Sequence, residues 1–326
     1  MTSGLQELPT RCTLTFVVGH PRLVAESNVR KLIVFSTATA SYSGLLRNRR
    51  TACQELEMLM FELTINLSYE NLEAAKRELL KKLPMVKSSH RCEALGRGLS
   101  YGSYSAARSA SKMIADPVTV DGSAFQKYLE RQGFNVSPNV LHRAVAKVAI
   151  ANVVAANEHL SIWGIGYGRS ERKPDGKWEY PRERYARFKE HRSELLDDCA
   201  ITPFLLSLAL LKRVVRTKTI RQGTGSYGVK HIAENFKCTY PDGEKLGPHY
   251  VPNGVLIAAA IHAGFMTKSH FDELGYHSLN VTFNMSKPCL DDLDYEIRPD
   301  TGRSQDRRRA EERRRLKKAS STIWGL

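Results

Sequence analysis

The stretch Ser137–Leu160, SPNVLHRAVAKVAIANVVAANEHL, decides the fold class. Pro138 suits the first turn of a helix, where the N–H it lacks would be unpaired anyway. Leu141, Val145, Val148 and Val153 recur at helical spacing and make one apolar face, while His142, Arg143 and Lys147 lie on the polar side. The spacing predicts one long helix with its apolar stripe turned to a core.

Helical texture extends upstream. The run ACQELEMLMFEL (Ala52–Leu63) carries apolar residues at helical spacing. In SYENLEAAKRELLKKL (Ser68–Leu83), Ser68 can cap the start and Leu72, Leu79, Leu80 and Leu83 share a face. Glu78 and Lys82 make an i,i+4 pair there, and Pro84 ends the element. The segment KSSHRCEALGRGLSYGSYSAARSASKMIA (Lys87–Ala115) reads as a helix–turn–helix. Ser88 or Ser89 is its N-cap, Glu93 sits where a capping-box acid reaches back, and Leu95 and Leu99 share a face. Gly98 or Gly102 takes the left-handed turn that stops the first helix, and Ser103 caps the second.

Downstream, three segments close on Gly followed by an aromatic ring: Gly133-Phe134, Gly264-Phe265 and Gly275-Tyr276. Each reads as a helix stopped by a glycine C-cap with its hydrophobic contact. Between them, IWGIGYGRSERKPDGKWEYP (Ile162–Pro181) alternates Trp163, Ile165 and Tyr167 with three glycines around a Pro174-Asp175-Gly176 turn signal. That is a β-hairpin pattern whose glycines admit another backbone or a ligand. PRERYARFKEHRSELLDD (Pro181–Asp198) returns to helix with Tyr185, Phe188 and Leu195 inward, and Thr202-Pro203 opens a helix running to about Arg216. CTLTFVVGH and RKLIVFSTAT, within residues 1–45, allow strands but favour a poorly ordered or extended segment.

The expected protein is mainly α: a multi-helix globular chain with a small β-hairpin insert and a basic helical C-terminal tail. Its parts are an N-terminal segment (1–45), a helical domain (46–160), a β-hairpin plus helical domain (161–300) and an Arg-rich tail (301–326). Hydrophobic residues are 42% and charged residues 25% of the chain, which excludes wholesale disorder. The longest apolar run, FLLSLALL (Phe204–Leu211), is far shorter than the ~18 residues of a membrane span, so no membrane partner is expected. Cys12, Cys53, Cys92, Cys199, Cys238 and Cys289 form no C-x-x-C pair and read as reduced thiols of a cytoplasmic protein.

Charge points to the partner. Forty-nine Lys and Arg against 34 Asp and Glu leave +15, which suits a polyanionic partner, DNA, RNA or an anionic membrane surface, the alternative being a soluble protein that happens to be basic. Nine bases against three acids between Gly302 and Lys318 put +6 in the tail, leaving +9 for the rest. Arg307, Arg308, Arg309, Arg313, Arg314 and Arg315 are the tail's candidate phosphate contacts; a solvated helix is the bland alternative. Arg91 and Arg97 are candidates in the helix–turn–helix. Its second helix holds only Arg108 and Lys112 as bases, too few for reading the major groove, so sequence-independent binding is expected.

GTGSYGVK (Gly223–Lys230) matches G-x-G-x-x-G. A dinucleotide fold would need a flanking strand and a second one leading to Asp242; a kinase would need HRD and DFG; a P-loop would need Lys directly after the last glycine. None is met, and no cofactor is expected. Gly225, Ser226 and Lys230 at the start of VKHIAENF could instead hold a nucleic-acid phosphate. His231 and Glu234, one helical turn apart, are the candidate acid–base pair. His231, His249, His262, His270 and His277 lack zinc spacing, so no metal is expected. No H-x-x-R occurs, which disfavours a tyrosine recombinase.

SSHRCEALGRGLSYGSYSA (Ser88–Ala106) and GSYGVKHIAENF with YVPNGVLIAAAIHAGF (Gly225–Phe236, Tyr250–Phe265) resemble two blocks of an uncharacterised family of proteins carried by proteobacterial plasmids and integrative elements. Ser100 stands where that pattern has glycine. The resemblance implies a mobile-element accessory protein and no particular activity. The sequence thus supports first a non-enzymatic nucleic-acid-associated protein binding through phosphates. An enzyme acting on nucleic acid through His231 and Glu234, and a protein-interaction module, remain alternatives.

Overall fold

A computed structural model describes residues 62–113, 117–271, 273 and 275–323, with side chains of the last helix described to residue 317. The expectations for residues 1–45 and for the helical run up to residue 61 lie outside the described residues. The chain is mainly α-helical, with eleven α-helices and three two-stranded antiparallel sheets among the described residues.

The long helix of the opening stretch is α5 (Asn139–Ala156). Leu141, Val145, Val148 and Val153 are all buried, as are Ala144, Ala146, Ala149 and Ile150. Around it pack α1 (Tyr69–Lys82), α7 (Ile201–Leu211) and α9 (Asn253–His262). Nearly every residue of α7 and α9 is buried, as befits helices apolar all round. One hydrophobic core runs from Leu63 to Leu293, so the boundary read at 160/161 passes through it. The polar side of α5 is covered rather than solvated. His142 is buried, Arg143 donates to Thr202 Oγ1 at 3.0 Å, and Lys147 pairs with Asp198 at 2.8 Å. α7 ends at Leu211, short of Arg216.

Ser68 caps α1 by accepting from Asn71 N at 3.1 Å. Leu80 is exposed, and Lys82 bonds Asp198 at 3.0 Å while Glu78 takes Lys81 at 2.6 Å. The expected Glu78–Lys82 pair does not form, because Lys82 reaches Asp198 in a neighbouring element and Lys81 takes the Glu78 carboxylate.

The helix–turn–helix is α2 (Ser88–Gly98) and α3 (Tyr104–Ala110). Its caps differ from expectation. α2 starts at Ser88 behind Lys87, so both serines lie inside the first turn and neither caps. The Glu93 carboxylate accepts instead from Tyr104 N at 3.3 Å, across the turn. The left-handed residue is Ser100, at φ 65°, not Gly98 or Gly102. Tyr101 N donates to Gly96 O and Ser100 N to Arg97 O, both at 3.0 Å, the paired bonds of a Schellman stop. The α2 glycines serve packing: a Cβ on Gly96 would lie 2.6 Å from the Ser103 and Tyr104 backbone, and one on Gly98 would strike Leu141. Ser103 caps α3 as expected, accepting from Ala106 N at 3.1 Å.

α4 (Gly122–Arg131) ends at Gly133 (φ 82°) and α9 at Gly264 (φ 80°). Phe134 N reaches Leu129 O and Phe265 N reaches Ala260 O, both at 2.9 Å, so these two stops form as read. The third does not. Gly275 sits in the turn between β5 (Thr267–Phe271) and β6 (His277–Phe283), where a helix ending in Gly275-Tyr276 had been expected. The β-branched residues Thr267, Val281 and Thr282 and the aromatic Phe271 and Phe283 favour the pleated ribbon over a helix.

The remaining pairs are β1 (Thr64–Asn66) with β2 (Pro117–Thr119), and β3 (Leu160–Ser161) with β4 (Gly164–Ile165). The Trp163-to-Trp178 hairpin is thus two small pieces: β3–β4, and a single bridge Arg172–Trp178 across the Pro174-Asp175-Gly176 turn. The glycines explain why it is not continuous. Gly164, Gly166 and Gly168 all have positive φ, and a Cβ on Gly164 would strike Leu279 O, one on Gly166 the His277 side chain. The backbone they admit is that of β6. α6 (Pro181–Leu195) buries Phe188 and Leu195 but leaves Tyr185 47% exposed, against expectation. α8 (Ser226–Glu234), α10 (Lys287–Ile297) and α11 (Gly302–Ile323) complete the chain.

Candidate functional site

The Gly-rich segment before α8 is sewn to β6. Gly223 takes φ 80°; Thr224 O accepts from Phe283 N at 3.2 Å, and the buried Ser226 hydroxyl accepts from Val281 N at 3.2 Å. Gly225 has an ordinary φ of −74°, and a Cβ there would meet nothing nearer than 3.9 Å. Gly228 faces open space. Neither glycine is required by packing, and the Ser226 oxygen offered to a phosphate is engaged inside the protein. A cavity of about 180 Å³ opens beside Gly223, Gly225 and Gly228, walled across by Lys287, Asp291 and Arg303.

One turn on, α8 gathers Lys230, His231 and Glu234. Residues three and four apart share a helix face. Lys230 Nζ lies 2.6 Å from Glu234 Oε1, and His231 Nδ1 lies 2.6 Å from Glu234 Oε2. Val251 N approaches Oε1 at 3.5 Å, and the Lys230 ammonium sits 4.8 Å from the Tyr250 ring centroid and 5.6 Å from that of Tyr227. Lys230 is buried, whereas His231 keeps a third of its side chain exposed, edge-on to Tyr227 at 4.5 Å. Burial pulls the Glu234 carboxyl upward, but the bonds from Lys230 and His231 outweigh it and hold it below the usual range. Glu234 is therefore an ionised acceptor with its oxygens taken, suited to orienting His231 rather than to taking a proton itself. Lys230 points into the protein, away from any phosphate in solvent. Tyr227, Tyr250 and the Val251 carbonyl, which hold Lys230, were not among the residues singled out from sequence; the aromatic residues flanking the glycine and proline turns were the available signal.

The arginines divide by position. Arg91 is buried and donates to Leu83 O at 2.9 Å and to Val86 O, closing the end of α1. Arg97 is exposed and lies 5.3 Å over Tyr128. In α11, Arg307 is pinned by Asp292 at 2.5 Å and Glu311 at 3.2 Å, and Arg308 Nε donates to Tyr295 OH at 3.2 Å. Ser304 is buried at the base of the helix. A cleft of about 450 Å³ separates α10 from this docked first part of α11. Farther along, Arg309, Arg313, Arg314 and Arg315 are exposed, and no carboxylate lies within 4.0 Å of the last three among the described residues.

The five C-terminal-half histidines are scattered. His262 is half-buried with Nε2 2.9 Å from Thr64 O, His270 meets Thr282 Oγ1 at 3.0 Å, and His277 lies tilted against Phe271. Among the described residues no group of three or more His, Cys, Asp and Glu is placed to hold a metal, and no helix is long and apolar enough to cross a membrane. No family model matches the chain, and neither does a curated protein or a solved structure.

Proposed function

We propose that the protein is a non-enzymatic, cytoplasmic, nucleic-acid-associated accessory protein of a mobile element, binding chiefly through phosphate contacts. One observation carries this: Arg313, Arg314 and Arg315 are exposed on α11 with no carboxylate partner among the described residues, in a chain of net charge +15. Guanidiniums on an exposed helix that no carboxylate neutralises give sequence-independent affinity that falls steeply with salt. The test is fluorescence anisotropy on duplex DNA and on RNA across a salt series. Replacing Arg313, Arg314 and Arg315 with Gln should lower the duplex salt slope by about 2–3, near 0.9 for each lost contact. An unchanged slope would make α11 solvated surface. A cut after Glu312 is a cleaner truncation than one after Asp300, because Ser304 and Arg307 are part of the packed body.

A second reading, processing of nucleic acid, is favoured by the 2.6 Å contact between His231 and Glu234. Glu234 would fix the ring through Nδ1 and leave Nε2 to handle a proton. His231→Ala should then abolish cleavage while binding persists; wild-type protein that binds without cleaving leaves only the first reading. Protein that does neither leaves a protein-interaction module.

A further inference from the structure

Rings follow one another across the surface made by α6, the segment before it and the β5–β6 hairpin. The Lys189 ammonium lies 4.5 Å from the Tyr185 ring centroid. Tyr185 lies 5.8 Å from Tyr167, Tyr167 5.8 Å from His159, His159 5.8 Å from His277, and His277 4.3 Å from Phe271. Beside the row, the Arg184 guanidinium lies 5.1 Å from the Tyr276 ring centroid. The ends of the row are open: Tyr185 is 47% and Phe271 63% exposed.

A Tyr or Phe ring contributes to stability through the apolar area it buries, and Tyr185 and Phe271 leave much of theirs in water. Here the ends face solvent, Lys189 sits against Tyr185 at one end, and Arg184 sits against Tyr276 beside the row. Residues 162–192 hold nine Lys and Arg against five Asp and Glu, a net of +4. Arg187 is tied to Glu179 at 2.8 Å and Lys173 to Glu183 at 3.0 Å, whereas Arg184 and Lys189 have no carboxylate within 4.0 Å among the described residues. Exposed rings with cations alongside that no carboxylate neutralises among the described residues match the needs of a single strand: bases stack on the rings and the backbone runs past the charges. A duplex keeps its bases stacked inside and can use only the charges.

We propose that this row binds single-stranded nucleic acid, stacking bases on Tyr185 and Phe271 while Arg184 and Lys189 meet the phosphates. The proposal rests on the nucleic-acid reading above and names its strand class, on a surface other than α11. The test uses the full chain and labelled 15-nucleotide dT and rU oligomers beside a DNA hairpin duplex, at one salt concentration. The double variant Tyr185→Ala/Phe271→Ala should lose about tenfold or more in affinity for both single strands and under about twofold for the duplex. Tyr185→Phe/Phe271→Tyr should bind as wild type, because the faces remain. If the alanine variant melts early, Arg184→Gln gives the second comparison, and it should weaken single-strand binding without a change in melting. An alanine variant that binds single strands as wild type does, or that weakens strand and duplex equally, overturns the ring row and leaves the phosphate reading standing. Wild-type protein that binds no nucleic acid removes both. A row that instead captures only protein also overturns it.

Discussion

Ser100 is the described non-glycine residue that takes a left-handed backbone, at φ 65°, and the position where the resembled pattern has glycine. A left-handed residue with a Cβ costs roughly 1–2 kcal/mol, from the approach of that Cβ to the following carbonyl. Ser100→Gly removes this penalty. It also makes the unfolded chain more flexible, which costs about 0.5–1 kcal/mol. Nothing else is lost, because Ser100 is exposed and the stop is made by backbone bonds, Ser100 N to Arg97 O and Tyr101 N to Gly96 O. The net expectation is a gain of about 0.5–1 kcal/mol. Urea denaturation should show a higher midpoint at unchanged m-value. Ser100→Ala keeps the Cβ and should stay within about 0.5 kcal/mol of wild type, as surface substitutions do. If glycine and alanine behave alike, or if glycine destabilises, Ser100 is not strained and its turn is held by something other than the Schellman bonds.

Gly133→Val should cost about 1–2 kcal/mol purely through backbone conformation, since φ is 82° and the space around a Cβ is empty; an unchanged urea midpoint would count against the C-cap. Lys230→Met should cost about 3 kcal/mol, because it strips a mostly buried Glu234 of its closest cation, and much of this should return in Lys230→Met/Glu234→Gln. Hydrogen bonds from Lys147 and Lys82 lower the Asp198 carboxyl to about 2, so its stabilisation is full above 3.8 and disappears as the pH falls through 2. Asp198→Asn should flatten stability over that window by under about 1 kcal/mol, the carboxylate being half exposed and screened. Burial lowers the affinity of His262 for a proton, so the unfolded chain protonates first and stability falls as pH drops below 6.5; His262→Gln should show a shallower fall in melting temperature there.

The helices were legible because their apolar spacing is local. Leu141, Val145, Val148 and Val153 announce α5 wherever the rest of the chain lies, and Ser68 and Ser103 cap their own helices. What failed depends on partners distant in sequence. Lys82 abandoned Glu78 for Asp198, and the polar face of α5 was covered by α7 and the Tyr240 loop. HFDELGYHS contains a glycine–aromatic pair, but that pair serves a ribbon turn as well as a helix stop. At the candidate site, the turn spacing of His231 and Glu234 placed them together, as helical geometry requires. Arg91 and Lys230 could not be told from surface bases by sequence alone, because only the fold shows that Leu83 O, Val86 O and Glu234 lie in reach.

The crossing of the glycine run over β6 also bears on the order in which the protein folds. Gly164 and Leu279 touch backbone to backbone although more than a hundred residues of chain separate them. Closing so long a loop costs entropy that only the finished contact repays. The bonds inside each helix link near neighbours in sequence, so helical turns are expected to form before the glycine run and the hairpin seat against each other. The ring row spans that same junction, through His159 and Tyr167 on one side and His277 and Phe271 on the other. It exists only where the two are seated, so a chain in which they are apart would keep its net charge yet lack the row.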